Sequence, residues 1–262
     1  MLTVFLSASV PLPERAERFR REPRAAFEIE QAVISLARAV FARGGRLVFG
    51  GHPTISPLVA MVAGEYRKPR RAESDLERAP PSVVIYQSEA YREVAEEAIL
   101  LIYELGAAKV FWTAAVDDER YDPEKRGTPQ CLKSLAEMRR KMLLETRPDA
   151  MVCIGGMEGV LDEAALFEQL VQARMIYTLK AAGGAAAELA SSPSDRVKVV
   201  EAEVLADVAQ RRASAGPLEG EDRDVFKRRD EDEMPVTPYP LIFQTLVAEL
   251  LDGHGHGGRE AS

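Results

Sequence analysis

Six short apolar runs, each followed by a stretch with helical spacing, constrain this chain more than any other feature. The runs are 2–6 (LTVFL), 46–51 (RLVFGG), 82–88 (SVVIYQS), 108–116 (AKVFWTAAV), 149–154 (DAMVCI) and 174–179 (RMIYTL). Most are apolar at consecutive positions instead of alternating. That is the pattern of strands buried on both faces, which belong to parallel sheets. The intervening stretch 25–43 carries apolar residues at Phe27, Ile29, Val33, Leu36, Ala37 and Val40, a helical period, and Gly44 and Gly45 stop it. Further helices are expected over 89–106, 130–146, 161–173 and 240–251. Strand and helix in alternation predict an α/β fold: a Rossmann-like, doubly wound, mostly parallel sheet with helices on both faces.

In such sheets ligands bind beyond the carboxyl ends of the strands. The candidate loops of this chain all follow strands. They are "SASVP" after the first, "GGHPTISP" after the second, "GGMEG" after the fifth and "AAGG" after the sixth. A parallel sheet therefore gathers Ser7, Ser9, Gly50, Gly51, His52, Thr54, Ser56, Gly155, Gly156, Met157, Glu158, Gly159, Gly183 and Gly184 along one edge. Glycine lets backbone N–H groups approach an anion, and the helix that follows presents its positive end. The same glycines also serve tight strand-to-helix turns. His52 either contacts a ligand or shapes its own loop. Gly183 and Gly184 either border the pocket or only break strand from helix.

The net charge of −8 argues against general binding to the nucleic-acid backbone, yet a local glycine loop can still hold a small anion. Two cysteines give no disulfide framework and fit a reducing compartment, so the cytoplasm is expected. No run is long enough to span a bilayer. His254 and His256, in a glycine-rich tail, are too few for a metal site, and no metal or cofactor is expected.

One constellation is more specific. The helix over 130–146 carries Arg140 and Lys141. Asp149 and Ala150 open the next strand. Gly156 and Gly159 follow it, and Glu163 closes the pattern. This resembles the LOG family of nucleoside 5′-monophosphate phosphoribohydrolases and, more broadly, the SLOG superfamily of nucleotide-binding enzymes and sensors. Gly50 and Gly51 resemble that family's second glycine loop, and "VFLSASVP" its first strand and phosphate-side loop. The resemblance spans about residues 2–190. It implies a nucleotide-binding core over 1–190, with an extension over 191–252 and a tail over 253–262. It implies Arg140 and Glu163 as a catalytic pair, with Lys141 and the loop residues binding ligand. It also implies a homodimer. Ile154 and Val160 replace a proline and a threonine of the LOG pattern, Glu158 sits within the loop, and "HPTISP" replaces a third glycine. These departures lie nearer the sensor branch. The expected function is binding, and sensing, of a nucleotide or nucleotide-derived ligand, with a separate effector protein as partner. The alternative is N-glycosidic hydrolysis, in which Glu163 stabilises positive charge on the ribose.

Overall fold

The computed structural model describes residues 1–11, 18–19, 25–66, 82–94, 108–125, 128–192, 194–201 and 237–257. Seven strands form one sheet: β1 (Thr3–Ser9), β2 (Arg46–Gly50), β3 (Val83–Ser88), β4 (Ala108–Thr113), β5 (Ala150–Gly155), β6 (Ile176–Leu179) and β7 (Val197–Val199). Every neighbouring pair is parallel, in the order β4-β3-β2-β1-β5-β6-β7. The chain winds outward from β1 in one direction, then returns to β5 and winds in the other. The reversal lies between β1 and β5, where a doubly wound sheet opens its crevice.

Helices α1 (Ala25–Ala42) and α2 (Ser56–Glu65) cover one face, with the C-terminal helix α6 (Tyr239–Gly257) packed on α1. Helices α3 (Leu132–Thr146), α4 (Glu158–Leu170) and α5 (Gly184–Leu189) cover the other. Strand alternation divides the core between these layers. Val4, Leu6, Val152 and Ile154 face α1, whereas Phe5, Met151 and Cys153 face α3 and α4. All seven are buried, which explains the continuous apolar runs.

The expected fold class is the observed one, with local differences. β1 runs through Ser9, because Ser7, Ala8 and Ser9 pair with Cys153, Ile154 and Gly155. The residues read as a loop are therefore held in strand geometry. Within the extension expected over 191–252 lies β7, which pairs with β6 and adds a strand to the sheet. Helix α4 begins at Glu158, three residues before the expected start, so Glu163 stands in its second turn. Helix α6 continues past Gly253 to Gly257 where a tail was expected. Glycine inside a helix costs about 1 kcal/mol but does not forbid it. The expected helix over 89–106 is described only to residue 94; it opens with a 3₁₀ turn at Glu89–Tyr91, and the remainder lies outside the described residues. Among the described residues, no helix is long and apolar enough to cross a membrane.

Candidate functional site

The site is built where β1 and β5 end. Ser7 shares its strand face with Phe5, two residues earlier, and that face looks toward α4. Phe5 stacks on Phe167, with ring centroids 6.4 Å apart. Glu163 lies one helical turn before Phe167, on the same side of α4. The Ser7 hydroxyl donates to Glu163 Oε2 at 2.5 Å.

The other carboxylate oxygen accepts from Arg139 Nε at 3.0 Å. Arg139 Nη1 also lies 3.4 Å from Asp162 Oδ2. The side chains of Arg139 and Glu163 are each only 13% exposed. Thus one carboxylate, one guanidinium and one hydroxyl from three separated segments converge at the crevice.

The expected partner of Glu163 was Arg140, and the structure corrects this. Arg140 pairs with Glu137 on its own helix at 2.8 Å and is 49% exposed. Lys141 is exposed on the same outer side. The reason is helical phase. The inward face of α3 carries Met138, Met142 and Leu143, all buried. Arg139 lies three and four residues before Met142 and Leu143, so it shares their face; Arg140 is turned by about 100°.

The glycines divide by role. Gly155 and Gly156 have φ of 61° and 85°, and Gly183 and Gly184 have 68° and 63°. The two turns pack backbone against backbone: Ala185 N–H donates to the Gly156 carbonyl at 3.0 Å. A Cβ on Gly184 would stand 2.6 Å from that same oxygen. The Gly156 N–H is itself taken by the Ser9 carbonyl at 2.7 Å. It therefore joins β1 to the loop instead of standing ready for an anion, as was expected of it. Gly159 differs. It lies in the first turn of α4, where N–H groups have no intrahelical partner. A Cβ there would meet Arg139 Nη2 at 2.8 Å. Its missing side chain lets the guanidinium lie against the helix start. Met157 is the N-cap, in extended conformation, and Glu158 opens the helix.

The second glycine loop borders the same edge. Gly50 faces Met138, whose methyl would sit 3.3 Å from an added Cβ, and Gly51 packs on Ile85 and Gln87. The "HPTIS" segment is bonded to itself. His52 N–H donates to Ser56 Oγ at 3.1 Å, and the His52 carbonyl accepts from Ile55 and Ser56 N–H. Thr54 N–H donates to His52 Nδ1 at 3.3 Å, with Thr54 Oγ1 at 2.9 Å from the same nitrogen. Nδ1 is thus an acceptor and the ring proton sits on Nε2. Burial lowers the His52 pKa to about 4, so the ring stays neutral. Ser56 is buried and Thr54 exposed, both occupied in shaping this turn. Ser9 is buried, with its hydroxyl beside Gly156.

Asp149, part of the sequence pattern, lies at the opposite, amino edge. It accepts from Thr3 N–H at 2.8 Å and pairs with Arg174 at 3.5 Å, fastening the starts of β1 and β5. Cys131 and Cys153 are both free and buried. Burial, followed by the nearby charge of Glu163, raises the Cys153 thiol pKa well above its ordinary value. The side chains of His254 and His256 lie outside the described residues. Among the described residues, no three His, Cys, Asp or Glu side chains group as a metal site would require.

Sequence reasoning also missed the segment between β4 and α3. Cys131, at the N-cap of α3, is left-handed (φ 51°) and makes no side-chain cap. Glu119 supplies the cap from a distance, accepting from Ser134 N–H at 2.8 Å and Lys133 N–H at 3.4 Å. Ser134 Oγ in turn accepts from Val116 N–H. No local sequence signal marks Glu119 for this role. By contrast, the helical period of α3 would have singled out Arg139.

A model of the SLOG cluster3 family matches residues 20–210. The chain belongs to the SLOG cluster3 family. That match takes in Arg139, Glu163 and the glycine loops of β2, β5 and β6, whereas Ser7 lies before its first matched residue. The SLOG cluster3 chain also resembles the solved X-ray structure of TM1055, a structural-genomics target. The two are 15% identical, with 76% of this chain and 91% of that one covered at a TM-score of 0.45. No curated protein matches this SLOG cluster3 chain.

Proposed function

We propose that the crevice between β1 and β5 binds a nucleotide or nucleotide-derived ligand, with Arg139 as the anion-facing group and Glu163 directed at ribose. One observation carries the reading. A largely buried carboxylate is held between the Ser7 hydroxyl and the Arg139 guanidinium, at the sheet's reversal point and beside the start of α4. A guanidinium lying on a helix N-terminus suits a phosphate, through planar hydrogen bonding and the helix dipole. A carboxylate accepts hydrogen bonds from ribose hydroxyls.

Asp162 and Glu163 both face Arg139 in the first two turns of α4. Binding draws Arg139 partly from Asp162 toward the ligand, and this exchange of partners signals occupancy to a second protein.

A second reading is hydrolysis of the N-glycosidic bond, and the fixed position of Glu163 favours it. Its carboxylate is oriented from both oxygens, as a group that stabilises positive charge on a ribose ring must be. Incubation with nucleoside monophosphates, cyclic nucleotides and NAD-derived compounds separates the two. Free base that vanishes in Glu163→Gln identifies an enzyme. A thermal shift with the ligand recovered intact identifies a binding protein. No shift and no base with any nucleotide overturns both.

A further inference from the structure

The carboxyl edge extends beyond the crevice to β3, and there two tyrosine rings that the site has not used lie against one another. Tyr91, in the 3₁₀ turn after β3, and Tyr121, in the segment after β4, stand with ring centroids 5.1 Å apart and planes tilted by 30°. Both are half-buried. The Tyr91 hydroxyl donates to the Gln130 carbonyl at 3.0 Å, and Tyr121 N–H donates to the Ala90 carbonyl at 2.8 Å. The pair is therefore held in place before any ligand arrives.

We propose that Tyr91 and Tyr121 form the platform on which the aromatic base of the ligand lies, while Arg139 and Glu163 hold its phosphate and ribose. The proposal rests on the nucleotide reading above and adds where the base goes.

Three relationships support it. The strand order β3-β2-β1 puts the carboxyl end of β3 two strands from Ser7, about 10 Å at the usual strand spacing. Helix α3 forms a shared wall: Cys131, beside Tyr91, precedes Arg139 by eight residues, roughly 12 Å of helix. The two ends also share an electrostatic field. Burial raises the Tyr91 pKa, neighbouring Cys131 adds to the rise, and the positive charge of Arg139 opposes it.

The rings are not needed merely to fasten the loop. Glu119 and Val116 tie it to Ser134, and Gln130 ties its far end through Asp122 and Lys125. Stacking on tyrosine faces tolerates every base, so recognition there depends on an aromatic plane more than on its edge pattern.

The test is calorimetric titration of adenosine, guanosine and cytidine 5′-monophosphates, with ribose 5-phosphate as the ligand that lacks a base. Expected is a loss of about tenfold or more in nucleotide affinity for Tyr121→Leu, with ribose 5-phosphate affinity unaltered. Tyr121→Phe keeps nucleotide affinity within about twofold, because the ring remains. Equal weakening of nucleotides and ribose 5-phosphate, or no weakening of either, overturns the platform and leaves the nucleotide reading standing. Failure of the unaltered protein to bind any of the four overturns both. Circular dichroism of each variant shows whether lost affinity reflects lost fold, and Tyr91→Phe, which keeps the ring and removes the hydroxyl's contacts with Gln130 and Cys131, should likewise keep nucleotide affinity within about twofold.

Discussion

Ser7 and Glu163 are 156 positions apart in the chain, and their side-chain oxygens are 2.5 Å apart. The contact repeats a packing relationship one step deeper in the core, where Phe5 stacks on Phe167. Two residues along a strand advance about 6.6 Å, and four along a helix about 6 Å. Because α4 runs back along β1, the core pair sets the register of the pair at the edge. Arg139 completes the arrangement from α3.

Arg139 and Arg140 are adjacent in sequence but unequal in effect. Arg139→Ala should abolish ligand-induced thermal stabilisation, because it removes the guanidinium proposed to face the anion and the charge partner of Glu163 seen among the described residues. Arg140→Ala should leave both ligand response and melting midpoint unaltered, since its exposed pair with Glu137 is screened by water. Differential scanning fluorimetry with and without nucleotide reads both. Loss of response in Arg140→Ala alone would refute the assignment.

Two glycine-to-alanine changes should act on different quantities. Gly184→Ala puts a Cβ 2.6 Å from a backbone carbonyl at a φ of 63°, and should destabilise by about 2 kcal/mol or more. Gly159→Ala meets the far end of the Arg139 side chain, with Nη2 at 2.8 Å. The guanidinium can move, so stability should hold while ligand affinity falls. Urea denaturation and binding titrations on the same samples measure the contrast.

His52 gives a stability slope in acid. Its pKa falls from an ordinary 6.5 in the unfolded chain to about 4 in the fold, because burial disfavours the imidazolium. The unfolded state therefore binds more protons between those values. The contribution is fully present above pH 6.5 and is lost as pH falls toward 4. His52→Gln should flatten the His52 part of the pH dependence seen in urea unfolding across this window. A ring that NMR shows protonated at pH 6 would contradict the prediction.

Glu119 caps α3 from a separate loop. Burial pushes its pKa up, but N–H donation from Ser134 and Lys133 outweighs this and leaves it below the ordinary carboxylate range. Glu119→Ala should destabilise by about 1 kcal/mol, in line with removal of an N-cap. Hydrogen exchange should quicken first at the Lys133 and Ser134 amides, and unchanged protection there would rule the cap out.

Much of this was legible from the chain alone. Continuous apolar runs alternating with helical periods can only be buried as a covered parallel sheet, and that topology places every strand-end loop on one edge. Glu163 could be singled out by its place after the glycine loop. Arg139 was also within reach, since it shares the period of Met142 and Leu143, but a two-residue Arg-Lys pattern drew attention one position too far.

Other features were settled only by tertiary structure. That Ser7 meets Glu163, that Glu119 caps a helix it does not precede, and that Tyr91 lies against Tyr121 all depend on strand order and on loops crossing between strands. Periodicity is a local property and reports which way a side chain points. Partners separated by dozens of residues are chosen by packing, which exists only once the sheet has assembled.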